Sequence, residues 1–468
     1  MSIFAKVTPA HIAALKAIVG DAFVFTDEEN IEIYAHDETE DLRFPPEVVV
    51  KPATTDEVSR IMQLCNEALL PVTPRGGGTG LSGGALAQHG GVLLSTERLN
   101  KIIEIDERNL QVTTEPGVIT QVLQEAVREK GLFYPPDPSS RGTCFIGGNI
   151  AENSGGPKAV KYGVVKDYVL NLELVLPNGD VIWTGANVLK NATGYNLTQL
   201  VVGSEGTLGI VTKIVLRLIP MPKHDLLMLV PFNSAEYACA AVSAIFRAGY
   251  TPSALEFMER DALLWVTQFV DSSMVKIDDE VQAHLLIEVD GNHQDMLFQE
   301  MEAIAAVVME FGCGEILFAD SHQQKEELWK LRRRVAEAVK SNSIYKEEDT
   351  VVPRAELPLL LNGVKAIGKR YGFTSVCYGH AGDGNLHVNI IKGDMSDEAW
   401  NGTLKDGIRE IFELVKRLGG TISGEHGIGL VQKDYMEIIF SRQQLLLMKQ
   451  IKQVFDPNNI LNAGKIFD

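Results

Sequence analysis

Residues 74–84 read Pro-Arg-Gly-Gly-Gly-Thr-Gly-Leu-Ser-Gly-Gly, and so much bare backbone in one place restricts what can surround it. Glycine tolerates positive φ and lets another backbone or a ligand come close, so such a run either turns the chain sharply or lines a binding surface. Two known motifs match the letters. Gly78-Thr79-Gly80-Leu81-Ser82-Gly83 satisfies the dinucleotide fingerprint G-x-G-x-x-G, and Gly80-Leu81-Ser82-Gly83-Gly84 satisfies the nucleophile elbow G-x-S-x-G, which would make Ser82 a hydrolase serine. Each requires a helix directly afterwards. Gly90-Gly91 and the strand-like GVLLST follow too soon for that; a crossover needs ~10 to 12 residues. What remains is a loop of backbone amides between two strands, a nest that can take a pyrophosphate without a helix.

Two further glycine-rich runs accompany it. Gly142-Thr143-Cys144-Phe145-Ile146-Gly147-Gly148-Asn149 continues through Asn153-Ser154-Gly155-Gly156, and Gly203-Ser204-Glu205-Gly206-Thr207-Leu208-Gly209 leads into a strand. Three close-approach loops in one region suggest a long ligand held along its length.

The rest of the chain narrows the class. Its 468 residues favour two or three domains, and 45% hydrophobic against 22% charged is the balance of a globular protein. A formal charge of −19 repels phosphate backbones, so nucleic acid is not expected as a partner, and an anionic substrate requires local cations or a metal. Cys65, Cys144, Cys239, Cys313 and Cys377 are scattered singly, which argues against disulfide frameworks, zinc knuckles and iron–sulfur clusters. With no signal-peptide core and no membrane span of ~20 apolar residues, the expectation is a soluble cytoplasmic protein.

Local patterns place these motifs on elements. Residues 48–75 read strand, helix, strand, with Thr54 and Glu57 as a capping box and Val58, Ile61, Met62, Cys65 and Leu69 as one apolar stripe. Residues 110–135 repeat that pattern loosely, and Asn178-Gly179 marks a hairpin. Pro220-Met221-Pro222 ends the first domain, so that 1–222 form one domain, 223–418 a second and 419–468 a terminal segment. Within the second, strands alternating with helices predict an α/β or α+β domain with mixed sheets, and one charged helix from 321 to about 341.

A second constellation lies there. His380 and His387 flank Ala-Gly-Asp-Gly-Asn-Leu, and the Asp383-Gly384 turn could fold the two imidazoles to one point. Glu425 and His426 sit in the glycine-flanked SGEHGIG. Two His and one carboxylate leave a coordination position open, as catalytic rather than structural Zn²⁺ sites do. The other reading is of hydrogen-bonded structural histidines. The Arg332-Arg333-Arg334 run and Lys346 could supply cations for an acid, or simply a solvated helix face.

Taken together, PRGGGTGLSGG, YPPDPSS, GTCFIGGNIAENSGG, NATGYNLTQLVVGSEGTLGIVT, GHAGDGNLH, SGEHGIG and FDPNNILNAGKIF resemble the FAD-linked oxidases and dehydrogenases with the vanillyl-alcohol-oxidase (PCMH) type of flavin domain. The likeness is to the branch of D-lactate dehydrogenases, glycolate oxidase catalytic subunits and D-2-hydroxyglutarate dehydrogenases. It implies an α+β fold: a two-subdomain FAD-binding domain, an α+β cap domain and a C-terminal helical segment returning to the flavin. It implies FAD contacts from Arg75, Gly76, Gly77, Gly78, Thr79, Gly80 and Ser82, from Asp137, Gly142, Thr143, Gly147, Gly148 and Ala151, and from Glu205, Gly206, Gly209, Ile210 and Asn462. The pyrophosphate loop has no histidine, so the FAD is expected to be non-covalent. The resemblance further implies His380, His387 and Glu425 as ligands of a divalent metal, zinc foremost, His426 as the base, and Arg332, Lys346 and Asn389 as substrate contacts. The activity implied is oxidation of a D-2-hydroxy acid, with electrons passing to a separate electron-transfer flavoprotein, quinone or cytochrome; a homodimer is compatible. A glycolate-oxidase-type subunit and a non-catalytic flavin- or metal-binding electron carrier are the alternatives. One position departs from the pattern: Ala336 stands where the 2-hydroxyglutarate enzymes carry a hydroxyl.

Overall fold

The computed structural model describes residues 4–39, 42–271, 275, 277–319 and 321–467. The chain divides into two compact units, neither continuous in sequence: Met1–Ser154, Val164–Met221 and Glu425–Asp468 make the first, Gly155–Gly163 and Pro222–Gly424 the second.

In the first unit β1 (Val24–Phe25), β2 (Val48–Val50), β3 (Val72–Arg75) and β4 (Val92–Ser95) form a sheet in the order β1-β2-β4-β3. Strand β4 runs parallel to both β2 and β3. The helix Thr55–Ala68 links β2 to β3; Thr54 Oγ1 accepts from Glu57 N, and Val58, Ile61, Met62 and Cys65 are buried, as the stripe predicts. Leu69, expected as the last member of that stripe, is instead exposed and stops the helix by turning left-handed at φ 54°. The equally parallel step from β3 to β4, by contrast, is the glycine-rich loop and contains no helix. Both the dinucleotide fingerprint and the serine elbow are thereby excluded, since each depends on that helix.

A second sheet packs β5 (Ile102–Asp106), β6 (Gln111–Thr114), β8 (Val169–Val175), β9 (Val181–Trp183) and β10 (Ile210–Arg217) antiparallel in the order β5-β6-β10-β8-β9; β7 (Leu132–Phe133) pairs with β11 (Ile219–Pro220). The Asn178-Gly179 hairpin joins β8 to β9, with Gly179 at φ +88°. The C-terminal tail is part of this unit: Val72 N donates to Ile460 O and Asn462 N to Val72 O, each at 2.7 Å.

The second unit is built on one seven-stranded sheet: β12 (His224–Phe232), β13 (Ala254–Glu259), β14 (Ala283–Gly291), β15 (Leu317–Phe318), β16 (Tyr345–Val351), β17 (Thr374–Gly379) and β18 (Asn385–Ile391), ordered β15-β12-β14-β13-β17-β18-β16. Every pairing is antiparallel, so the mixed sheet predicted from alternating elements is corrected. A helix between two strands returns the chain to the sheet without deciding strand direction. The charged helix expected over 321–341 is two helices, His322–Arg333 and Val335–Asn342, broken at Arg334. Leu328, Leu331, Val335 and Val339 bury against Met258, Val376 and Tyr378 on one face of the sheet.

The excursion Gly155–Gly163 belongs to this unit through charge pairing. Lys158 and Lys161 Nζ meet the carboxylates of Glu288 and Asp290, the latter at 2.6 Å, and Tyr162 Oη donates to Asp290 at 2.7 Å.

Candidate active site

In the first unit the glycine-rich loops lie against one another. A Cβ at Gly77 would sit 2.7 Å from Thr143 O and force the loops apart, whereas one at Gly76 would make ordinary contact with Gly148 N at 3.7 Å. Gly78, at φ +71°, has the Arg75 guanidinium folded against its α-carbon. That guanidinium is buried, donates to His36 O at 2.7 Å and stacks over Tyr34, which places a fixed positive charge under the loop.

The cradle fits a cofactor. Beside Gly80 and Gly148 there is open space, with no atom within 4 Å of where a Cβ would be. The buried Ser82 Oγ, Asn149 Nδ2 and Glu152 Oε2 have no hydrogen-bond partner among the described residues, and such atoms are costly unless something else meets them. Other expected contacts have packing reasons instead. Gly147 is pressed on Pro116, Gly206 on Pro74 and Gly209 on Leu174, while Ile210 sits in the apolar core. Asp137 is ion-paired with Arg141 at 2.8 Å, Gly142 and Thr143 are exposed, and Ala151 O accepts from Glu205 N.

Glu205 organises this side. Its backbone is left-handed at φ 50°, Asn462 Nδ2 donates to its carbonyl at 2.7 Å, and its carboxylate accepts from Ile428 N at 2.8 Å and Gly429 N at 2.7 Å. Gly427 is left-handed at φ +81° with the Glu152 carboxylate where a Cβ would be, and at Gly429 the backbone Ser82 O fills that space. Burial raises the pKa of both acids, furthest for Glu152, where the charge of Glu205 adds to the effect. Burial also pushes Lys465 down to about 8.

In the second unit one sheet face carries a closed circuit of polar side chains. Register decides its membership: Glu347 pairs with Asn389, Asp349 and Tyr378 with His387, and Met258 with Tyr378, so these residues and Glu256, two positions from Met258, share a face. Fully buried Glu256 lies 2.8 Å from His380 Nδ1 and 2.7 Å from Arg332 Nη2. Burial opposes its ionisation, yet the imidazole and the guanidinium outweigh this and hold its pKa below the usual range. The His380 and His387 rings are 5.4 Å apart, and His387 Nδ1 lies 3.4 Å from Glu347 and 3.7 Å from Asp349. Tyr378 Oη donates to Glu347 at 3.3 Å, and the Arg332 Cζ is 5.2 Å from the Tyr378 ring, which closes the circuit.

This donor set fits a divalent first-row ion. Two imidazoles flanked by carboxylates suit zinc and its neighbours, and with Nδ1 bonded to Glu256 it is His380 Nε2 that would meet such an ion. The loop bearing Glu425 and His426 is anchored on both sides. Ahead of it, Ser423 Oγ and Gly424 N donate to Asp349 at 3.0 and 2.8 Å; beyond it lies the Glu205 clamp.

Of the substrate contacts expected, Arg332 and Asn389 are on this face and both are buried. Lys346 is not. It pairs with Ile390 on the opposite face, with Nζ 5.3 Å from the Trp400 ring, and the next position, on the same face as His387, is the acid Glu347. Glu256, Glu347 and Tyr378 were not singled out in the sequence. An acid inside the apolar strand ALEFME is the signal that could have found Glu256.

Comparison with known proteins agrees with this architecture. Residues 221–466 match the family model of FAD linked oxidases, C-terminal domain, and 46–185 match an FAD binding domain. The chain is 41% identical to the glycolate oxidase subunit GlcD of Bacillus subtilis over 93% of its own length and 92% of that protein's. It is 38% identical to the D-lactate dehydrogenase of Anaerostipes hadrus over 98% of each. Among solved structures, p-cresol methylhydroxylase with substrate bound superimposes with a TM-score of 0.79 at 19% identity, covering 98% of this chain and 97% of that one, which shows the fold. The chain therefore belongs to the FAD-linked oxidase family and is an FAD-dependent oxidoreductase of the PCMH fold.

Proposed function

We propose that this oxidoreductase dehydrogenates D-2-hydroxy acids to 2-oxo acids with the help of a divalent metal. The observation that carries the reading is the buried face on which two imidazoles stand beside one guanidinium and one unsatisfied amide. Arg332 Nε has no acceptor, and neither amide atom of Asn389 makes a well-formed hydrogen bond, among the described residues. A carboxylate and a hydroxyl oxygen would satisfy them, and names of relatives such as D-lactate dehydrogenase point to the same substrate class.

In this reading His380, His387 and Glu425 hold the metal and His426 is the base. When bound, FAD would supply the hydride acceptor, and a metal held by His380, His387 and Glu425 would supply positive charge for the hydroxyl oxygen. The chain's own residues do the rest. Arg332 binds the substrate carboxylate, and Asn389 donates to or accepts from an oxygen on the same carbon skeleton. His426 takes the hydroxyl proton on an imidazole nitrogen, a step generally worth ~10² to 10⁴-fold. Lys346, on the other face, has no role. The FAD is non-covalent, since residues 74–84 contain no histidine. Electrons leave to a separate acceptor, because the cysteines are unpaired and scattered. No helix among the described residues is long and apolar enough to cross a membrane; unpaired cysteines suit the reducing cytoplasm.

The test is anaerobic. D-lactate added to the purified yellow protein should bleach the flavin band, His426→Ala should keep FAD but lose bleaching, and Glu425→Ala should shed metal. Bleaching by no 2-hydroxy acid, or full turnover in both variants, would overturn the reading.

A further inference from the structure

Glu152 closes the helix Ile146–Glu152, at the end where backbone carbonyls make a negative charge least welcome. Its Oε2 is buried and meets no hydrogen-bond donor among the described residues. A carboxylate in that state is costly, and the cost is relieved by pairing the charge or by keeping the proton. Pairing is not how it is met. Lys465, the cation whose field reaches Glu152, directs its Nζ to Leu86 O and, at longer range, to Asn462 Oδ1 at 3.3 Å and Gly84 O at 3.4 Å.

The neighbouring acid is placed differently. Glu152 Oε2 occupies the position of a Cβ at Gly427, and Glu205 Cδ lies 3.2 Å from that same position. Two amides, of Ile428 and Gly429, donate to Glu205 and favour its ionised form. That charge, with Asp37 adding to it, opposes a second charge on Glu152. The proton of the pair therefore belongs on Glu152.

The acid faces the cofactor cradle. Its Oε1 lies 3.2 Å from where a Gly84 Cβ would be, and Ser82 Oγ lies 3.5 Å from that point. An acid from the second glycine-rich run thus meets a hydroxyl from the first. Ser82 is only 2% exposed, and its Oγ is likewise unmet among the described residues. Arg75, folded against Gly78, suits a pyrophosphate, whereas the acids Glu152, Glu205 and Asp37 do not. What fits beside them is a group that donates and accepts hydrogen bonds without carrying charge.

Independently of the substrate reading above, we infer that Glu152 is a cofactor-binding residue: a neutral carboxylic acid that, with Ser82, hydrogen-bonds the uncharged ribityl or ring portion of FAD.

Infrared difference spectra of the full-length holoprotein, recorded as dithionite reduces the flavin, should show a protonated-carboxyl C=O band in the wild type that is missing from Glu152→Gln. FAD release on dilution, followed by flavin fluorescence, separates the hydrogen bond from the charge, because Gln and Met both roughly conserve the side-chain volume. Glu152→Gln should hold FAD within ~3-fold of wild type, and Glu152→Met should bind it ~10-fold more weakly, the size of one lost hydrogen bond. Unchanged release from Glu152→Met would overturn the inference, as would equal weakening in Glu152→Gln or a wild-type spectrum without the carboxyl band. None of these measurements uses a 2-hydroxy acid, so their outcome is separate from that of the proposed reaction.

Discussion

Glu256 Oε2 holds His380 Nδ1 at 2.8 Å from a strand more than a hundred residues away in the chain. The same carboxylate meets Arg332, so one buried group fixes the tautomer of an imidazole and the position of a guanidinium. Replacing Glu256 by Gln preserves an acceptor for the imidazole but removes the charge opposite Arg332. Affinity of the apo protein for Zn²⁺, measured by calorimetry, should fall ~10 to 100-fold in Glu256→Ala and less in Glu256→Gln. KM for the hydroxy acid should rise in both variants. A purely structural role for Glu256 would lower thermal stability while leaving the metal affinity of the folded fraction unchanged.

Glu205 accepts from two successive amides, at Ile428 and Gly429. A glutamine there can accept only one of those bonds and turns an NH₂ toward the other amide. The expected loss is roughly 1 to 3 kcal/mol, the usual cost of leaving a buried donor unmet. Denaturant titration should show it, with faster hydrogen exchange at Ile428 and Gly429 ahead of the rest of the first unit. Exchange unchanged at those two amides would show that the clamp does not hold the loop.

His284, buried in β14, is kept neutral because burial lowers its pKa from 6.5 to about 4. The unfolded chain takes up a proton near the ordinary value while the folded chain does not. Stability contributed by the neutral ring is therefore present above pH 6.5 and lost as the pH falls toward about 4. Across that window the loss amounts to roughly 3 kcal/mol. His284→Gln should flatten the unfolding free energy between those limits, and an unaltered pH profile would count against a buried neutral imidazole.

Much of the first unit was legible because its signals are local. The Thr54 cap, the stripe from Val58 to Cys65 and the Asn178-Gly179 turn each act within a few residues and appear where the pattern places them, although the Glu57 carboxylate accepts from Ala53 N rather than closing the expected box on Thr54 N. The missing helix after Ser82 was legible for the same reason, since chain length alone forbade it. His380 and His387 were brought near each other by a turn visible in Asp383-Gly384.

Other features depended on partners far along the chain. Composition and motif spacing determined that this is a globular, acidic chain with a glycine cradle and a histidine pair, and the likeness carried by its motifs implied the flavin family. Only the tertiary structure decided that Glu347 rather than Lys346 shares a face with His387, because side chains alternate along a strand and a shift of one residue reverses every assignment. It alone brought Glu256 to His380, made the large sheet antiparallel throughout, and divided the chain into discontinuous units. Strand pairing and burial are settled by contacts between distant segments, whose energies no local pattern encodes.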